Sequence, residues 1–362
     1  MNTIWKYQNH LPAVAPQYRM LLGEGQTPLV RSRSIGALLG VDNLYFKLEN
    51  LNPTGSYKDR FAAVLVSEMN AKGQKVCIAT SSGNTGAALS AYCAAAGITC
   101  ILVVVDGAPL PKIRQMQLYG AQIFMVHGFG KDPGVTATVF NELEKLCAAN
   151  DLPLPISAYR YCPSAMQGVQ TLASEILETL AGQVDHIFAP AGGGGLTLAV
   201  TNGVLTEQPD GGRTRVNCVQ PEGNDTIASA LRTNEPRARA VAQSTTTVSG
   251  LQVPGVIDGD RVLENCRKTG GTGYVVTDER VFFWQQALAR QEGIFSEPAG
   301  AVALAGLEDA IRRKEVSRSE TVVCLVTGSG FKDMASVETN FGLPAVQTVE
   351  ATRTIGLIQP YL

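Results

Sequence analysis

The stretch Asn52-Pro53-Thr54-Gly55-Ser56-Tyr57-Lys58-Asp59-Arg60 decides how the rest of the chain is read. A Pro-x-Gly turn runs into an apolar segment, Phe61 to Val66, that continues as a helix. Ser56 and Asp59 have the spacing of a capping box, which predicts a helix starting just after Ser56. Lys58 then falls in the first turn, where the helix dipole disfavours a cation. A desolvated lysine there gives up its proton readily, and a neutral amine is a nucleophile. Most lysines are solvated surface groups, so the reading depends on the flanking sequence.

Upstream, residues 1–43 are irregular around the turn-rich Gly23-Glu24-Gly25-Gln26-Thr27-Pro28-Leu29, and 44–48 reads as a strand. Downstream, strands are expected at 75–80, 99–105 and 122–127, alternating with helices at 84–96, 110–118 and 135–149. Pro153 and Pro155 mark a crossing between domains. The alternation then resumes, with helices at 164–180, 196–205, 278–291 and 300–312. The matching strands fall at 186–190, 215–220, 274–277 and 321–327. Residues 234–260 hold no periodic pattern, and the tail from 339 is expected to pack on the surface. Strand and helix in strict alternation predict an α/β fold, a mainly parallel twisted sheet in each of two domains with helices on its faces.

Bulk composition narrows the function. The 362 residues suffice for two domains, and 45% hydrophobic against 17% charged residues describes a chain with a large buried core. A formal net charge of −2 and the lack of any Lys/Arg run exclude a field that gathers nucleic acid or anionic membrane. No apolar run reaches membrane-spanning length, and the first eighteen residues are too polar for a signal peptide. The eight cysteines form no Cys-x-x-Cys and the three histidines do not cluster, so no metal is expected. Cys77, Cys100, Cys218 and Cys324 lie in apolar runs and read as buried free thiols, which points to a reducing cytoplasm.

In open α/β sheets, ligands bind beyond the carboxyl ends of the strands. Four turns qualify: Ser81-Ser82-Gly83-Asn84-Thr85-Gly86, Gly192-Gly193-Gly194-Gly195, Glu222-Gly223-Asn224 and Thr327-Gly328-Ser329-Gly330. The four glycines expose backbone N–H groups before a helix and suit a phosphate. The spacing fits neither a dinucleotide fingerprint nor a P-loop. The 81–85 loop is sized for a carboxylate, although an ordinary N-cap cluster looks the same. Thr327 ends an apolar strand, where a hydroxyl can meet a ring nitrogen. A lysine, a carboxylate loop, a phosphate loop and a strand-end hydroxyl together match pyridoxal 5′-phosphate.

At this point the chain resembles fold-type II pyridoxal-phosphate enzymes, particularly threonine synthases. The resemblance is carried by 52–60, by Gly23 to Leu29, by the 81–86 loop and by Val326-Thr327-Gly328-Ser329-Gly330-Phe331-Lys332-Asp333. It spans residues 20–340 with the motifs in order. It implies that Lys58 is the Schiff-base lysine and that Asn84 contacts the cofactor's ring hydroxyl. It also implies that Ser81, Ser82 and Thr85 bind the substrate carboxylate, that Gly192, Gly193, Gly194 and Gly195 hold the phosphate, and that Thr327 meets the pyridine nitrogen. By the same resemblance, residues 1–54 with 151–362 form the large cofactor domain, and 55–150 form a smaller, mobile domain that closes over the substrate. The activity implied is elimination or replacement on an L-amino acid with a Cβ or Cγ leaving group. A serine or threonine dehydratase is the alternative, and a non-catalytic nucleotide-binding protein the remote one. A homodimer is expected by base rate. Gly192 to Gly195 followed by Leu196 resembles serine and threonine dehydratases more than many threonine synthases, and a second motif departs further: where threonine synthases carry Asn-Pro-x-Arg, this chain has Cys162-Pro163-Ser164-Ala165, with Arg160 nearby. That departure points to a substrate other than O-phosphohomoserine.

Overall fold

The structure is a computed structural model, and it describes residues 3–108, 110–209, 211–346 and 348–361. In chain order the first elements are β1 (Leu29–Arg31), α1 (Ile35–Leu39), β2 (Asn43–Leu48) and α2 (Lys58–Ala71). Then come β3 (Val76–Ala79), α3 (Asn84–Ala96), β4 (Thr99–Val104), α4 (Leu110–Leu118), β5 (Gln122–Met125) and α5 (Pro133–Ala149). The chain continues through α6 (Pro163–Thr179), β6 (His186–Pro190), α7 (Gly195–Glu207), β7 (Arg215–Pro221) and α8 (Ala228–Arg232). Last are α9 (Gly259–Lys268), β8 (Gly273–Val276), α10 (Asp278–Ala287), α11 (Val302–Arg312), β9 (Thr321–Val326), α12 (Met334–Asn340) and α13 (Thr354–Ile358).

Two sheets result. One has six strands in the order β1-β2-β9-β6-β7-β8, the other three in the order β3-β4-β5. Every pairing is parallel except β1 on β2. Parallel strands are covered on both faces, and the sequence shows why: Val322 to Val326 and His186 to Pro190 are buried throughout. The edge strand β5 is mostly exposed. The alternating α/β reading therefore holds.

Helix α2 lies between the sheets and packs on both α3 and α6. Phe61, Ala62, Ala63, Val64 and Val66 are all fully buried, so this part of the helix is covered on every side instead of along one stripe. Its first turn corrects the capping-box reading. The N-cap is Tyr57 with no side-chain cap, and Ser56 Oγ takes only a long 3.4 Å bond from the Lys58 N–H. Asp59 instead turns back to Thr54, accepting from its N–H at 2.8 Å and its hydroxyl at 2.6 Å.

A buried ionic knot holds this turn in place. The Arg60 guanidinium is fully buried, forked onto Glu49 at 2.7 Å through both Nε and Nη2, and onto Glu175 at 2.6 and 2.8 Å. Lys47 adds a 2.6 Å bond to Glu175, and Thr27 a 2.6 Å bond to Glu49. The knot joins the Gly23–Leu29 segment, β2, α2 and α6. Burial opposes the Glu175 charge, but the Arg60 and Lys47 cations outweigh it and bring its carboxyl down to about 2.

Candidate active site

The site forms where loops leave the carboxyl ends of β2, β9, β6 and β3. Strands β2 and β9 run side by side to Leu48 and Val326, and the loops beyond them stay joined through the backbone. The Tyr57 N–H donates to the Thr327 carbonyl at 3.1 Å, and the Ser329 N–H to the Gly55 carbonyl at 2.9 Å. Lys58 and Thr327 are thus set relative to each other by main-chain bonds. The segment at Glu297 joins the other side, with its N–H on the Gly328 carbonyl at 3.0 Å. A Cβ on Gly328 would stand 2.1 Å from Glu297 Oε1 and 3.2 Å from Asn84 Nδ2, so a larger residue there displaces the Glu297 carboxylate.

Lys58 begins α2 half-buried, its Nζ 2.5 Å from Ser157 Oγ and 4.3 Å from the centre of the Tyr57 ring. Burial pulls its pKa down to about 7, against the opposing pull of the Glu297 carboxylate. The amine is therefore about half neutral near pH 7, and burial is the cause. Ser157 Oγ also lies 3.2 Å from Thr85 Oγ1, which brings the 81–85 loop to the lysine. That loop does not behave as an N-cap cluster: α3 is preceded by Gly83 without a side-chain cap, and Ser81 Oγ takes only the Gly83 N–H. Ser81 and Ser82 remain partly exposed toward the cleft.

Asn84 donates to Glu297 Oε1 at 2.7 Å. Asn84 Oδ1, Glu297 Oε2, Ser296 Oγ and Thr327 Oγ1 are buried without a hydrogen-bond partner. Buried polar groups are usually paired, and a polar ligand at Gly328 would satisfy this group of four. Burial raises the Glu297 carboxyl above its ordinary value, against Lys112 and Lys332.

The glycine run closes the far end. Gly194 has φ of +96° and caps α7, which starts at Gly195. A Cβ on Gly195 would meet the Ser157 carbonyl at 2.7 Å. The Asp258 N–H donates to the Gly193 carbonyl at 3.0 Å, while its carboxylate accepts from Tyr159 and Arg160 N–H groups at 2.8 and 3.1 Å. Ser157 is therefore fixed between the lysine, the 81–85 loop and the glycines. Sequence reasoning missed Ser157 and Glu297. Each lies in an irregular, Pro-flanked loop with no periodic signal, and the one cue for Glu297 was an acid set between apolar Phe295 and Pro298.

The Cys162-Pro163-Ser164-Ala165 segment opens α6, with Ala165 buried. Arg160 is exposed, its guanidinium 5.9 Å from the Tyr161 ring.

These groups fit pyridoxal phosphate: a depressed-pKa lysine, an unpaired strand-end hydroxyl, an unpaired asparagine oxygen and a glycine cradle at the start of a thirteen-residue helix. The pyridoxal-phosphate-dependent enzyme family model matches residues 20–328, and the chain belongs to that family. It is an enzyme of the elimination and replacement kind. The chain is 32% identical to a threonine synthase of Methanocaldococcus jannaschii over 340 residues, covering 91% of this chain and 80% of that one. It is 31% identical to a threonine synthase of Halalkalibacterium halodurans over 349 residues, covering 94% and 92%. Among solved structures, the processed threonine deaminase isoform 2 of Solanum lycopersicum superposes with a TM-score of 0.74 at 19% identity, covering 93% of this chain and 86% of that one. Maize serine racemase superposes at 0.72 with 23% identity, covering 87% and 91%. No helix among the described residues is long and apolar enough to cross a membrane.

Proposed function

We propose that this chain acts on a small L-amino acid bearing a Cβ or Cγ leaving group, with Lys58 as the residue that carries the cofactor and moves the α-proton. The observation that supports this most directly is the Lys58 amine, brought down to about 7 and set 2.5 Å from Ser157 Oγ. Bound pyridoxal phosphate would supply a carbonyl for the amine and an electron sink for the α-carbon. Gly192, Gly193, Gly194 and Gly195 would hold its phosphate, and Asn84 its ring hydroxyl. Thr327 Oγ1 offers a neutral partner to the ring nitrogen where a carboxylate would favour its protonation, which suits elimination and replacement over transamination. Ser81, Ser82 and Thr85 orient the substrate carboxylate, and Ser157 Oγ takes or returns a proton at Lys58 Nζ.

Residues 55–150 would close the cleft, bringing the 81–85 loop onto the substrate. The 2.9 Å bond from Lys112 on α4 to Ser249 supports a contact across that cleft. Ala165 in place of an arginine, with Arg160 exposed, supports a leaving group other than the phosphate of O-phosphohomoserine. The exposed apolar side chains of the C-terminal tail, among them Leu343, Val346 and Ile355, support a homodimer, and the reducing setting inferred from eight unpaired cysteines a cytoplasmic one.

Phosphate release from O-phospho-L-homoserine, with the visible spectrum recorded on the same sample, tests the reading. A spectral response without phosphate release is expected. Prompt phosphate with threonine as product overturns the substrate assignment. Ammonia from L-serine or L-threonine moves the chemistry to a dehydratase. Turnover retained in Lys58→Ala overturns the lysine assignment.

A further inference from the structure

Away from the site, three cysteines converge from three elements. Cys77 on β3 and Cys100 on β4 are register partners in the parallel pair, so they share a sheet face, and Cys93 reaches that face from α3. The three sulfurs lie within 4.8 Å of one another. All three residues are buried in the main core, at 1%, 4% and 0% exposure. Ser90 Oγ stands 3.9 Å from Cys100 Sγ. A lone buried cysteine behaves as a small hydrophobe, but a triangle of sulfurs has the geometry of a ligand set. Three sulfurs around one ion at the about 2.3 Å of a zinc–sulfur bond stand about 4.0 Å apart. A disulfide needs two of them at about 2.05 Å and leaves the third without a role.

We propose that Cys77, Cys93 and Cys100 form a three-sulfur site for one soft divalent ion of the zinc, cadmium and mercury type. Thiolate donors select such ions. The pocket is apolar, so the bound state must be close to neutral. Two thiolates and one thiol balance a divalent charge, and loading releases two protons to solvent. The Cys-x-x-Cys rule misses the set because its spacing comes from strand pairing and a helix, not from one loop. Cys77 and Cys93 bracket the 81–85 loop in the chain, so the ion ties β3 to α3 on either side of that loop.

The test titrates the full-length holoenzyme with Cd²⁺ and reads the ultraviolet thiolate-to-cadmium absorption, bound cadmium and proton release. Saturation at one ion per chain with about two protons released is expected, together with a raised thermal midpoint. Cys93→Ser should weaken uptake at least 100-fold, and Cys147→Ser, at another buried cysteine, should leave it unchanged. Cadmium X-ray absorption on the unmutated protein covers a variant that fails to fold. A three-sulfur shell, slightly longer than the zinc–sulfur distance, supports the site. An oxygen and nitrogen shell, no stoichiometric uptake, or uptake indifferent to Cys93 overturns it.

Discussion

The Lys58 amine should titrate near neutrality in the cofactor-free protein. An ordinary lysine at 10.5 is neutral in only about 3 parts in 10⁴ at pH 7, whereas one at about 7 is half neutral. The nucleophilic fraction therefore rises by about three orders of magnitude at that pH. Competitive labelling with trace acetic anhydride, followed by peptide mass spectrometry, reads this fraction directly. Lys58 acylation should rise tenfold per pH unit below 7 and level off above it, so that its ratio to exposed lysines is flat below 7 and falls above it. The exposed lysines should keep rising through pH 9. Glu297→Gln removes the carboxylate that favours the ammonium, so the Lys58 midpoint should move lower still. A Lys58 curve that climbs in parallel with the exposed lysines would refute the argument from burial. A midpoint that rises in Glu297→Gln would refute the argument from the carboxylate.

Arg60→Met leaves Glu49 without a cation in the core and Glu175 with Lys47 alone, so urea denaturation should show a loss of about 3–5 kcal/mol, and adding Glu49→Gln should recover part of it. The Glu175 carboxyl is held down to about 2 in the fold against an ordinary 4.5, so its contribution is complete above about 4.5 and lost as pH falls toward 2; thermal midpoints followed over that range should drop, and less steeply in Glu175→Gln. If Thr327 Oγ1 meets the ring nitrogen as proposed, Thr327→Ala should weaken cofactor affinity up to about tenfold in equilibrium dialysis. Gly328→Ala forces the Glu297 carboxylate off Asn84, so the purified protein should hold substoichiometric cofactor with its secondary structure unchanged by circular dichroism.

The fold was readable because parallel strands buried on both faces are bare apolar runs. Val322 to Val326 and Ile187 to Ala189 admit few other readings once helices separate them. Lys58, Thr327 and the four glycines were legible as candidates because they lie in turns that follow strands, whereas a role for Asn84 came only with the family resemblance. The rest depended on tertiary partners. Asp59 has the spacing to cap its own helix, yet Thr54 offers two donors in better positions. Ser157 reaches the lysine across ninety-nine residues of sequence, from a loop whose path is set by Asp258. Glu297 matters through Asn84, a partner on the other sheet's helix. No local pattern carries such pairings.

The latch between the loops leaving β2 and β9 also bears on how the protein comes into being. Lys58 emerges early in synthesis, but the carbonyl that positions its neighbour belongs to Thr327, near the end of the chain. Such long-range closure is slow and comes late in folding. Until the last strand docks, the bond that sets Tyr57 against Thr327 is missing, so in a chain truncated before β9 the Lys58 labelling should climb in parallel with the exposed lysines. The order in which its residues are made would then keep the amine protonated until the two strands are side by side.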